Sequence, residues 1–166
     1  MGLHLTVSQR PENSTFGDWN VHLFKVGRIK CLLSMNNKTC YTFLISNVLK
    51  KDTKDFASFL RERLIRQLDH DFKIGEGMEI KLRNEFADVV LSKSNNDKKI
   101  LGTINHHIEG CLKYPDYQGG VDNWDDVKVS SILNDDLLKT KIPMHESKTG
   151  HPYFKPVELM DRLLKL

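Results

Sequence analysis

The stretch Trp19–Asn47 reads WNVHLFKV, then Gly27-Arg28, then IKCLLSM, then Asn36-Asn37-Lys38-Thr39, then CYTFLISN. β-Branched and aromatic residues between two short polar breaks predict three consecutive antiparallel strands. Only two residues separate Val26 from Ile29, and the first is glycine, which suits a tight hairpin needing positive φ at its first central position. Asn36-Asn37 is expected to supply left-handed backbone at the next turn, because a short amide hydrogen-bonds its own backbone. Trp19, Val21 and Leu23 share one side, Ile29, Cys31, Leu33 and Met35 form another alternating set, and Tyr41, Phe43 and Ile45 a third. A sheet with a strongly apolar side must be covered.

The cover is expected from the next element. Asp52 can cap a helix over 53–72, in which Phe56, Phe59, Leu60, Leu64, Leu68 and Phe72 recur at spacings of three and four while Arg61, Arg63 and Arg66 lie elsewhere on its surface. Residues 78–85 predict a shorter helix and 86–92 a strand. Leu3, Leu5 and Val7 alternate with polar residues and predict a strand joining the meander. Ile100, Ile104, Ile108 and Leu112 repeat every four residues, so a helix over 100–114 turns one stripe to the core and leaves Asn105, His106 and His107 toward solvent. Residues 118–152 form a loop-rich acidic arm in which Val127–Leu138 can seed a helix. Pro156 opens a C-terminal docking helix over 156–166, with Val157, Met160, Leu163 and Leu164 as its stripe. The expected fold is α+β in a single domain, 1–166, whose sheet and helices occupy 1–117. It has an antiparallel sheet of about five strands, with helices packed on one face.

At 166 residues the chain can bury roughly two thirds of its unfolded surface in one core. Hydrophobic content of 39% and charged content of 28% exclude wholesale disorder. The net charge of +3 is too small to argue for nucleic acid by itself, yet it is unevenly spread. Between Pro115 and Asp136 six aspartates stand against one lysine, a local charge of −5, so the remainder of the chain carries +8. A basic body with an acidic segment either binds an anion or holds the segment against itself by mutual attraction. Cys31, Cys40 and Cys111 are odd in number and lack CxxC spacing, which argues against a disulfide framework or thiolate metal site and suits the reducing cytoplasm. The first residues lack a signal-peptide core, and no apolar run is long enough for a membrane span, so a soluble, cytoplasmic protein without membrane partners is expected.

No reaction centre assembles, and no catalytic residue is assigned. Neither a GxxxxGK[ST] phosphate loop nor a GxGxxG fingerprint occurs, and no cofactor is expected. Adjacent His106 and His107 point about 100° apart on a helix, unlike an i, i+4 chelating pair, and His107 with Cys111 lacks further ligands, so no metal is expected. His145, Glu146 and His151 sit in a polar loop-like stretch, and Asp69-His70-Asp71 falls at a helix end. A binding site has more support. Lys25, Arg28 and Lys30 cluster about the first hairpin with Trp19 and Tyr41 in the same sheet, and charge with aromatic faces can hold a nucleotide or a single strand. The candidate ligand-binding residues are Trp19, Arg28, Lys30, Asn105 and His106.

Three segments carry a resemblance: WNVHLFKVGRIKCLL (Trp19–Leu33), KKILGTIN (Lys98–Asn105) and NDDLLKTKIPM (Asn134–Met144). With them the chain resembles a domain-of-unknown-function family found in uncharacterised proteins of bacteria, their plasmids and phages. In that family Asn105 follows a Leu-Gly step near the start of a helix, where Gly102 could allow close backbone approach. The resemblance carries no reaction. The expectation is a non-enzymatic binding protein acting on a small anionic ligand such as a nucleotide, or on a host protein. Its phage connection suggests a counter-defence factor that sequesters a nucleotide signal. Alternatives from other classes are a hydrolase or nuclease using His106, His107 and nearby carboxylates, and an assembly protein docking through its acidic arm.

Overall fold

The computed structural model describes residues 4–9, 15–87, 89–93, 97–113, 123–138 and 153–166. His145, Glu146, His151 and the 118–122 and 139–152 parts of the predicted arm lie outside them. The class is α+β. At its centre is the antiparallel meander of β2 (Trp19–Val26), β3 (Ile29–Asn36) and β4 (Thr42–Ile45). Backbone pairing continues from β2 to β1 (His4–Gln9) and on to β5 (Val89–Lys93), giving the order β4-β3-β2-β1-β5.

Turn chemistry sets the register. Gly27 has φ 59°, as the two-residue hairpin requires, and the pairing runs from Val26↔Ile29 to Trp19↔Asn36. At the second turn the left-handed residue is Cys40 (φ 57°), not either asparagine. Asn36 acts through its side chain instead. Its Oδ1 accepts from Lys38 N, Thr39 N and Thr39 Oγ1, and its Nδ2 donates to Phe16 O at 2.7 Å. The asparagine thus closes the turn by hydrogen bonding and leaves the strained backbone to a neighbour. Gly17 has φ +69°, and a Cβ there would lie 2.8 Å from Asn37 Oδ1. Gly17→Ala should lower stability by about 1–2 kcal/mol in a thermal melt.

The register overturns the expectation of helices on one face. Trp19, Val21 and Leu23 stand in rows with Asn36, Ser34 and Leu32, then Phe43 and Ile45. The opposite side carries Phe24, Cys31, Leu33, Met35 and Leu44. Both faces are apolar, so both are covered. Against the Trp19 face lie α1 (Phe56–Phe72) and α2 (Glu76–Glu85), with Leu60, Leu64, Leu68 and Leu82 buried. Against the Cys31 face lie α3 (Lys98–Lys113) and α4 (Asp126–Asp135), with Ile100, Ile104, Ile108, Val129 and Leu133 in the same core. The C-terminal α5 (Pro156–Leu164) begins with its proline in the first turn; Met160, Leu163 and Leu164 join the α1 core and Leu159 joins the other. Each fully buried leucine contributes roughly 1.5–3 kcal/mol.

Several boundaries differ from the sequence expectation: α2 starts at Glu76 rather than 78, Phe86 is its C-cap, and β5 covers Val89–Lys93 rather than 86–92. α1 begins three residues late: Asp55 caps it by accepting from Ser58 N at 3.1 Å, whereas Asp52 accepts from Leu49 N within a preceding 3-10 turn, Lys50–Thr53. Both aspartates do capping chemistry, and the second sits where the chain straightens into the apolar stripe. Within the predicted loop-rich arm, residues 126–135 are helical. Three of its aspartates are used internally. Asp125 caps α4 through Val127 N and Lys128 N, Asp126 Oδ2 accepts from Ser46 N at 3.0 Å, and Asp135 takes Lys155 Nζ at 2.7 Å.

Candidate functional site between two helices

The stripe of α3 is not the one a four-residue repeat predicts. A helix turns 100° per residue, so steps of four drift by 40° each and the fourth member, Leu112, is carried out to 47% exposure. The stripe that stays on the core is Ile100, Thr103, Ile104, His107, Ile108 and Cys111. His107 stands two turns after Ile100 and is therefore buried, 1% exposed, where solvent exposure was expected. Asn105 and His106 are exposed as predicted from their offset.

Beside this stripe a cleft of about 190 Å³ opens between α3 and the end of α4. His106, Glu109, Gly110 and Lys113 supply one wall at helical spacing, with His107 among its lining residues, and Leu133 and Asp136 supply the other. Gly110 leaves room: a Cβ there would come 3.8 Å from Leu133 Cδ2. Neither ring nitrogen of His107 has a hydrogen-bond partner among the described residues. Burial, reinforced by His106 alongside, pushes its pKa down to about 4. At neutral pH it is an uncharged imidazole with one donor and one acceptor to offer.

The other sequence-nominated residues do not converge on this cleft. Trp19 is 3% exposed and packed against Phe43 and Phe86, with ring centroids 5.6 and 6.4 Å away. Tyr41 is also buried, so neither ring offers a free stacking face. Arg28 and Lys30 are exposed at the far end of the β2–β3 hairpin: Lys30 pairs with Lys25, six residues along the ladder from Trp19 and roughly 20 Å of strand away, and Arg28 lies beyond it in the turn. Gly102 faces open space, with nothing within 4 Å of an added Cβ, so it mediates no close approach there. The arginines of α1 are spoken for in part: Arg61 donates to Ser58 Oγ, and Arg63 sits 5.6 Å from the Phe59 ring centre.

Asp69-His70-Asp71 yields a polar junction between α1 and α4. Asp71 accepts from Tyr41 Oη (2.5 Å), Gln67 Nε2 (3.1 Å) and Ser131 Oγ (2.5 Å), and His70 Nδ1 lies 3.0 Å away. Burial raises the Asp71 pKa, but hydrogen bonds from Ser131, Tyr41, His70 and Gln67 outweigh it and leave the pKa below its ordinary value. Serine, histidine and aspartate meet here without forming a nucleophilic triad. Ser131 Oγ approaches His70 at Nδ1 (3.3 Å), the same nitrogen that faces Asp71, so no second ring nitrogen is shown taking the serine proton while Asp71 orients the ring. The three cysteines are equally unsuited to nucleophilic work: burial pushes the thiols of Cys31, Cys40 and Cys111 up to about 11, 12 and 12. No group of three or more His, Cys, Asp or Glu among the described residues is placed to hold a metal. None of the described helices is long and apolar enough to cross a membrane.

Fold and cleft together define a small α+β domain with a helix-covered sheet and a polar recess between α3 and α4. Over residues 2–158 the chain matches the family described as Domain of unknown function (DUF6933), and it belongs to that family. No curated protein and no solved structure gives a significant match.

Proposed function

We propose that this chain is a non-enzymatic binding protein whose α3–α4 cleft takes a small polar molecule bearing both an ammonium and a carboxylate. The observation that carries this reading is His107, a fully buried imidazole lining the cleft with both nitrogens unpartnered among the described residues. A buried polar group left unpaired costs about 1–3 kcal/mol, a cost a ligand would offset. Around it stand Lys113 on one side of the charge balance and Glu109 and Asp136 on the other, which suits a zwitterion better than a polyanion. The volume fits a molecule of amino-acid size rather than a full nucleotide. A base with a pKa of about 4 does not exchange protons usefully at pH 7, which weighs toward binding and against the hydrolase reading.

A second reading keeps the anionic ligand at the hairpin. The register sets Lys25 directly opposite Lys30, with Arg28 in the turn between them, and like charges so paired repel. A phosphate-bearing ligand, including a nucleotide signal of the counter-defence version, would relieve that repulsion. The two readings separate cleanly. Denaturing the purified protein and running the released small molecules through mass spectrometry, followed by calorimetric titration of what is found, should give a zwitterion. Its affinity should fall at least tenfold in His106→Ala/Lys113→Ala and hold in Arg28→Ala/Lys30→Ala. A released nucleotide whose binding is lost only in the hairpin double variant would overturn the cleft assignment. So would a panel of amino acids and dipeptides that shows no binding to an empty protein.

A further inference from the structure

Two segments far apart in the sequence bring their cations to one end of the sheet. Lys25 and Lys30 stand directly opposite each other in the β2–β3 ladder, and alternation from Trp19, Val21 and Leu23 puts both on the face that α1 covers. Arg28 lies in the turn between them. The chain later returns to this end: Val48 N donates to Lys30 O at 2.9 Å, and by Phe56 the backbone has joined the Leu23 side of the core. Between those points come Lys50, Lys51 and Lys54, all exposed, as Lys25, Arg28 and Lys30 are. The two carboxylates in these segments, Asp52 and Asp55, leave a local charge of +4. Each of them already accepts from a backbone N–H, Leu49 N and Ser58 N. On the β4 side the basic shelf is bounded by Asp126, which is held on Ser46 N.

Cations elsewhere on the surface are matched: Arg83 with Glu62 and Glu79, Lys128 with Asp125, Lys155 with Asp135, Lys165 with Asp161. Lys25, Arg28, Lys30, Lys51 and Lys54 form no ion pair among the described residues. The Lys25–Lys30 pairing is destabilising in itself, since like charges directly opposite repel. Nor does Lys30 guard a sheet edge, because β3 lies inside the sheet and the Lys30 carbonyl is bonded to Val48. A single phosphate would meet one or two of these cations, whereas six spread over two segments match a polyanion. We propose that the shelf docks the phosphate backbone of duplex DNA. A single strand would need exposed rings for its bases, and Trp19 and Tyr41 are buried while Phe56 and Phe59 pack against the core. A duplex carries one charge per about 1.7 Å of axis and needs no stacking partner. Arg28 at the tip of the turn suits the B-form major groove, about 12 Å wide, which admits a two-stranded ribbon as the narrow groove of duplex RNA does not. Leu49 is the one large hydrophobic side chain exposed on the shelf among the described residues, which gives a lipid surface little to hold.

Fluorescence anisotropy with a labelled DNA duplex of about 20 base pairs and arbitrary sequence, titrated at several concentrations of sodium chloride, tests this. The logarithm of the binding constant should fall against that of salt with a slope of about −4, as four to five phosphate contacts require, a loss of roughly 250-fold between about 50 and 200 mM. Lys25→Gln/Lys30→Gln and Lys51→Gln/Lys54→Gln should each flatten the slope by about 2 and weaken binding at least tenfold. Their Tm should equal or exceed the parent's, because no ion pair is lost. Lys81→Gln/Lys98→Gln removes the same charge away from the shelf and should keep the parental slope. Absence of binding at about 50 mM salt would overturn the proposal. Equal flattening in the Lys81/Lys98 variant would overturn it too, since DNA would then sense only the overall charge. Sedimentation with phosphatidylglycerol vesicles in the absence of DNA binding would assign the shelf to a lipid surface instead. If one shelf variant fails to fold, the other decides the matter.

Discussion

Acidification from pH 7 to pH 4 should cost the fold about 3 kcal/mol at one side chain, His107, and about 2 kcal/mol should already be lost at pH 5. The folded protein holds this imidazole neutral down to about pH 4, whereas the unfolded chain protonates it near 6.5. As pH falls through 6.5 the unfolded state gains a proton that the folded state refuses, and stability declines. Below about 4 both states are protonated and the loss levels off. His106, Glu109, Lys113 and Asp136 line the same cleft and are present in both proteins of the comparison described next. His107→Leu should remove the 7-to-5 slope attributable to this site. At pH 7 it should be as stable as the parent or more so, because an unpartnered polar group is replaced by an apolar one of similar size. Urea denaturation of both proteins at pH 7, 6 and 5 measures the difference. Parallel pH profiles would mean that His107 is satisfied in the folded protein and that the cleft needs no ligand to complete it.

The sheet was largely legible because strand signals are local. Alternation, the Gly27 turn and the break at Asn36 need nothing beyond neighbouring residues. What covered each face was not legible, because it depends on register. Only after Ser34 is paired with Val21 and Phe43 does it follow that Trp19 and Cys31 look in opposite directions and that two helical layers are needed. The site residues divide the same way. The exposure of His106 follows from its offset on the helix, while His107 was misplaced by reading a period of four where the true period is 3.6. A one-residue difference in that arithmetic separates an exposed imidazole from a buried one. Trp19, nominated for stacking, is instead packed in the core beneath α1 against Phe43 and Phe86.

Nothing in periodicity reveals that α4 substitutes for a missing strand, and this is where the second large effect is expected. Asp126, Ser130 and Asn134 are spaced by four, a rise of about 6.0 Å per step, and they meet Ser46, Leu44 and Thr42, spaced by two, a rise of about 6.6–6.8 Å. The two rises nearly match, so one helix face can hydrogen-bond the outer edge of β4 as a neighbouring strand would. Asp126 Oδ2 accepts from Ser46 N (3.0 Å), Ser130 Oγ from Leu44 N (2.8 Å) and Asn134 Oδ1 from Thr42 N (2.7 Å), while Asn134 Nδ2 donates to Thr42 O (2.8 Å). Asn134 is the pivotal member, since it satisfies both backbone groups of a fully buried residue. Asn134→Leu keeps the volume and orphans Thr42 N–H and C=O together, a loss of about 2–4 kcal/mol. Asn134→Asp keeps the acceptor for Thr42 N but turns its second oxygen on Thr42 O and buries a charge. It should be the worse variant at pH 7 and regain part of the loss by pH 5, where a protonated carboxyl can donate. That recovery runs opposite to the His107 effect, so the two are best read in the His107→Leu background. An Asn134→Leu protein within 0.5 kcal/mol of the parent in urea denaturation would show that the β4 edge is held without the helix, and the strand-substitute role of α4 would fall.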